Sequence, residues 1–143
     1  MNTKLIHEYK IDKLRREELT RICWQYKDMK NTAKDLLIVS PSPSIKGRRS
    51  GSHSDPVASA AARREYLQNR IRAIETCAKL AGKDCADALL YGVITQGSSY
   101  DIMRVNGKIY CGKRQYYEMK NKFFWLLDHY IVKDHEEVRR EVL

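Results

Sequence analysis

Residues 109–127 read IYCGKRQYYEMKNKFFWLL, and this stretch decides the fold. Behind Gly112 stand Lys113, Arg114 and Gln115; then Tyr116, Met119, Phe123 and Leu127 recur at steps of three and four. That spacing predicts an α-helix with one buried stripe, opening at Gly112 and running to about Lys133. Tyr130 continues the stripe, while Tyr117, Phe124 and Ile131 lie beside it. The helix mouth is polar and faces outward through Lys113, Arg114, Gln115 and Glu118, with Lys122 one turn later. Tyr116, Met119, Phe123 and Leu127 are the candidate anchor that fixes the angle of this mouth.

Upstream, SSYDIMRVNG (98–107) supplies a cap in Ser98 or Ser99, one or two helical turns, and a turn at Asn106-Gly107. DCADALLYGVITQ (84–96) reads as another short helix, with Leu89, Leu90 and Val93 inward and Gly97 ending it. Before it lies a long helix over about 55–83. Asp55 is its expected cap and Pro56 its first residue, where a missing amide costs nothing. Ala60, Arg64, Leu67, Ile71, Ile74, Ala78 and Ala81 step along one side of this helix, and Gly82 closes it. Residues 40–54, SPSPSIKGRRSGSHS, are rich in Ser, Pro and Gly and form the expected linker. Residues 1–39 form an N-terminal helical arm, with helix over about 3–39. Leu19, Ile22, Tyr26, Met29, Ala33 and Leu36 have coiled-coil spacing there, and Leu5, Tyr9 and Leu14 are looser anchors.

The expected fold is therefore all-α. Long N-terminal helices, as a hairpin or coiled-coil arm, precede a helix-turn-helix over 84–133, and a charged tail follows over 134–143. With 43% hydrophobic and 31% charged residues the chain suits a folded helical protein rather than a disordered one. No apolar run approaches the ~20 residues of a membrane span. The first ten residues carry charges where a signal peptide needs its apolar segment, so a cytoplasmic location is expected.

The net charge of +9 is uneven. Residues 1–83 hold 18 Lys/Arg against 9 Asp/Glu, whereas residues 84–143 balance at 9 against 9. Within that neutral part, residues 98–122 hold six basic residues against Asp101 and Glu118. A local basic surface set in a neutral domain is the footprint of a nucleic-acid binder.

A short helix, a turn and a longer helix with a basic start follow the helix-turn-helix plan, in which the second helix lays its first turns in the major groove. Lys113 and Arg114 suit guanine, Gln115 suits adenine, and Glu118 accepts from the cytosine amine. Each good contact is worth ~1–3 kcal/mol of discrimination. Candidate phosphate contacts are Ser99, Arg104, Lys108 and Lys122, with Lys46, Arg48 and Arg49 from the linker. Double-stranded DNA is the expected partner, bound by a monomer or homodimer.

The order SDPVA before a long helix, then ALLYGVITQGSSYDIM, then CGKRQYYEMKNKFFWLL resembles phage-encoded transcription regulators of the RinA/ArpU type. The likeness covers about residues 55–130. Most specific are Cys111-Gly112 with a basic residue, the pair Tyr116-Tyr117, and the pair Phe123-Phe124 seven residues on. The resemblance implies a C-terminal domain similar to sigma-factor region 4, with a bracing helix over Ser99–Val105. It also implies control of phage or prophage late genes in a bacterial host, with host RNA polymerase as a further partner.

Two other functions fit the layout. A small terminase subunit also joins a helix-turn-helix to a helical arm, although it usually reads DNA near its N-terminus. A phage protein that captures a host factor without touching DNA fits the charge and heptads equally well. Enzymatic chemistry is not expected: the chain has no Gly-rich phosphate loop, nucleophile elbow or metal-ligand spacing. No cofactor is expected either. His129 and His135 fall on opposite sides of a helix, and Cys23, Cys77, Cys85 and Cys111 form no C-x-x-C pair, so reduced, idle thiols are the reading.

Overall fold

Pro56 opens the longest internal helix of the core, as its missing amide favours. The computed structural model describes residues 9–37 and 56–142, with side chains as far as Ile131. The elements are α1 (Lys13–Trp24), α2 (Tyr26–Leu37), α3 (Pro56–Gly82), a 3-10 turn (Lys83–Cys85), α4 (Ala86–Ile94), α5 (Tyr100–Val105) and α6 (Lys113–Val142). Among the described residues there is no strand. Leu5, Asp55 and the linker 40–54, including Lys46, Arg48 and Arg49, lie outside the described residues.

The centre of the fold is α3, which packs along α2, α6 and α4, while α1 bridges α4 and α6. One hydrophobic core results. Leu19, Cys23, Tyr26, Met29 and Ala33 of α1 and α2 join Ile74 and Cys77 of α3, Leu89 and Val93 of α4, and Phe123, Phe124 and Leu127 of α6. The N-terminal helices are thus part of the core that holds α6, and no gap in packing marks residues 83–84.

The N-terminal heptad register holds through a break. Gln25 leaves the helix and its N–H donates to Ile22 O at 3.1 Å, a tighter i to i−3 step, before Tyr26 restarts it. Tyr26, Met29 and Ala33 stay buried beyond the break, and fully buried Cys23 shares the seam with partly buried Ile22. Leu14, expected as an anchor, is 67% exposed: it sits on the outer face of α1. Tyr130 is likewise exposed, and Ile131 takes the buried position at that level of α6.

Turn chemistry follows the sequence in two places and departs in one. Ser99 caps α5, its Oγ accepting from the N–H of Ile102 at 3.3 Å. At the other end the N–H of Gly107 donates to Arg104 O and that of Lys108 to Met103 O, with Gly107 at φ 68°. This is the Schellman closure a glycine after a helix favours. At the end of α3, by contrast, the left-handed residue is Lys83 at φ 49°, not Gly82. Gly82 instead lies close under α4, where an added Cβ would be in tight contact with the Leu89 side chain. Finally, α6 continues past Lys133 to Val142, so the charged tail extends the helix.

Candidate nucleic-acid interface

The mouth of α6 is exposed from Gly112 to Gln115 and again at Tyr117 and Glu118. Directly behind it the anchor is buried: Tyr116, Phe123 and Leu127 are at most 1% exposed, and Met119 is also buried. Every residue of the sequence-derived base-contacting set is therefore exposed in the first turns of α6, and every residue of the anchoring set is buried.

Two contacts fix where this mouth points. The Tyr116 ring runs from the mouth to α4 and ends against Gly92, where any Cβ would collide with its hydroxyl. A helix that brings a phenol this close to a neighbouring backbone needs glycine there. The Tyr116 hydroxyl is buried and has no hydrogen-bond partner, and burial pushes its pKa up to about 12. The second contact comes from α5. Buried Tyr100 donates from its hydroxyl to Cys111 O at 2.7 Å, and the same hydroxyl accepts from Arg104 Nη1 at 3.0 Å. Ile109 and Cys111 are buried as well, so the segment between α5 and α6 is pinned to the core.

The charged groups at the surface are lightly held. Lys113 Nζ lies 3.5 Å from Asp101 of α5, and Arg114 Nε donates to Glu118 at 3.2 Å. Exposed pairs of this kind contribute ~0–1 kcal/mol, less than a bidentate base contact offers. Both cations are therefore available to a stronger acceptor. Gln115 makes no side-chain hydrogen bond among the described residues.

The phosphate-contact candidates are more varied. Ser99 Oγ is used in capping α5, and one Arg104 nitrogen is used in holding Tyr100. Lys108 sits over the Tyr91 ring of α4 at 5.5 Å. Lys122 is half-buried, with Nζ 6.0 Å from the Tyr9 ring centre. Ser99 and Arg104 thus belong to α5 and its cap, Lys108 stands over α4, and Lys122 lies one turn beyond Glu118 along α6.

Sequence reasoning did not find the clasp between α1 and α6. Arg15 Nε donates to Asp128 at 2.7 Å, and Arg16 Nη1 donates to Asn121 Oδ1 at 2.6 Å. Arg16 also lies 5.0 Å over the Phe124 ring, and burial lowers its pKa. Lys120 is lowered too, by burial first and then by the charge of Arg16. Residues 120 and 121 of α6 therefore face α1, not a ligand. The only sequence signal was Arg15-Arg16 opposite a polar break in an aromatic helix, and no local rule pairs segments so far apart.

The side chains also bound the chemistry. His129 Nδ1 bonds the Trp125 carbonyl at 2.8 Å, and its ring packs on Trp125. Among the described residues no group of three His, Cys, Asp or Glu converges as metal ligands. Burial raises the Cys23 thiol strongly and takes Cys77 to about 12, which keeps both protonated and unreactive. Among the described residues, no helix is long and apolar enough to cross a membrane. Compared with protein-family models, curated proteins and solved structures, the chain has no significant match in any of the three.

Proposed function

We propose that this chain is a sequence-specific, non-enzymatic DNA-binding regulator that reads the major groove with the first turns of α6. The observation that carries the reading is the pairing of an exposed Lys113-Arg114-Gln115-Glu118 surface with a rear that is completely buried. Groove readout needs donors and acceptors that are free at the surface and a helix that cannot tilt under them. Tyr116 against Gly92 and Tyr100 on Cys111 supply the second requirement. In this reading α5 braces across the backbone, with Ser99, Arg104 and Lys108 toward phosphates, and Lys122 adds a contact one turn along.

Ile102 and Val105 on α5, with Tyr110 in the segment that leads to α6, are exposed apolar groups. Such groups suit thymine methyls or a protein partner. With the resemblance to RinA/ArpU-type regulators, this supports control of phage or prophage late genes with contact to host RNA polymerase.

The test is fluorescence anisotropy of the purified chain on duplex DNA from upstream of late genes in its own genome, against a scrambled duplex, over a salt series. The expected result is clear preference for the native duplex and a steep loss of affinity with salt. Equal, weak binding to both duplexes would remove the reading, and a pull-down for a host protein would then test the capture function.

A further inference from the structure

A second surface lies between α2 and α3, on stripes of those helices that α6 does not cover. Lys30, Lys34 and Leu37 on one side face Arg64, Arg72 and Glu75 on the other across a groove of about 280 Å³. Buried Ala33 and Ile71 form its apolar floor, and Gln68 adds a neutral polar group.

The charges in this groove do not balance. Its single carboxylate, Glu75, already accepts from Tyr26 Oη at 2.5 Å and has Lys30 Nζ at 3.8 Å. Lys34, Arg64 and Arg72 have no carboxylate partner among the described residues. Unpaired cations on an open surface need no explanation, because water solvates them. Arg64 differs: its Nε is buried and has no acceptor. A buried donor left unmatched is costly, and this one belongs to a cation on the wall of a groove.

We propose that this groove binds a small organic phosphate, held by Lys34, Arg64 and Arg72. A phosphate group supplies several acceptor oxygens and more than one negative charge, which matches three cations lining one groove better than a lone carboxylate would. The planar guanidinium forks of Arg64 and Arg72 favour the same chemistry. The volume is too small for a helix or a duplex, and the floor of Ala33, Leu37 and Ile71 suits the non-phosphate part of the ligand.

Isothermal titration calorimetry of the full chain tests this with two probes, inorganic tripolyphosphate and adenosine triphosphate, at constant ionic strength. Saturable one-to-one binding of both is expected, with adenosine triphosphate the tighter because the floor contributes. Arg64→Gln and Arg72→Gln each weaken binding about tenfold, the loss of one charge-assisted contact. Lys79→Gln, an exposed change outside the groove, leaves it unchanged. Circular dichroism verifies the fold of each variant, and Lys34→Gln replaces any that fails. Absence of saturable heat with either probe overturns the proposal, as does wild-type affinity in the Arg72 and Lys34 variants. Loss of duplex DNA affinity in Arg72→Gln without any small-phosphate binding overturns it too, and would assign the groove to the DNA backbone.

Discussion

The first turn of α6 and its body belong to one helix but answer to different demands. In the body, between Phe123 and Ile131, side chains are chosen by what they fill: Phe123, Phe124 and Leu127 are almost completely buried. In the first turn, between Lys113 and Glu118, only Tyr116 is buried, and the charged residues are held by weak surface pairs. The difference teaches that packing and surface chemistry are separable along a single helix. On the proposed reading, substitutions in the body should change folding, and substitutions in the mouth should change binding.

The strongest attempt to break that separation is Phe123→Ala, which empties a fully buried aromatic site. It should cost ~3–5 kcal/mol of stability, read as a lower urea midpoint. A smaller loss would mean that the body is less tightly packed than its burial indicates. Gly92→Ala comes next: its new methyl meets the Tyr116 hydroxyl, and the expected loss is ~1–3 kcal/mol. Combining it with Tyr116→Phe should recover part of that loss, because the colliding atom is gone. Additive losses would show that α4 and the mouth are not coupled in this way.

Arg114→Ala tests the other side of the comparison. Its stability should stay within ~0.5 kcal/mol of wild type, as for most surface changes. Preference for the native duplex should fall by ~1–3 kcal/mol in anisotropy. Lys122→Ala should weaken all duplexes alike and flatten the salt slope by about one unit. Unchanged affinity and preference in Arg114→Ala would mean that the mouth is not oriented toward DNA as proposed.

Tyr116→Phe has the smallest expected effect and the most specific signature. Removing an unmatched buried hydroxyl should raise stability by ~1 kcal/mol at neutral pH. The hydroxyl is held protonated to about 12, against 10 when free, so the unfolded chain releases this proton first as pH rises. The phenol's contribution is therefore full below pH 10 and lost as pH rises toward about 12. The Phe variant should show a shallower alkaline decline in its urea midpoint. Cys77, raised from 9 to about 12, leaves a decline in both proteins.

Much of the local structure was legible in the sequence because it is set by neighbours in the chain. Pro56 opens α3, Ser99 caps α5, Gly107 closes it, and the three-four spacing of Tyr116, Met119, Phe123 and Leu127 marks the buried side of α6. What was not legible depends on residues distant in sequence. Leu14 carries an anchor's side chain but faces away from the core, and Lys83 holds a left-handed backbone that its residue type disfavours. The close approach of Tyr116 to Gly92 and the clasp of Arg15 and Arg16 on α6 belong to tertiary packing alone. Arg64 was visible as a charged member of an otherwise apolar stripe, but only the facing helix α2 gives that position its groove.

The hydrogen bond from Tyr100 to Cys111 O has a kinetic consequence. Six residues are too few for α5 to persist alone in water, so its amides are protected only while Tyr100 and buried Met103 keep it docked. The first turn of α6 and the whole of α5 should then open as one cooperative unit, and their amides should exchange with solvent deuterium at a common rate. A ligand that settles on the mouth would slow exchange in α5 by the same factor, including at buried amides that face the core.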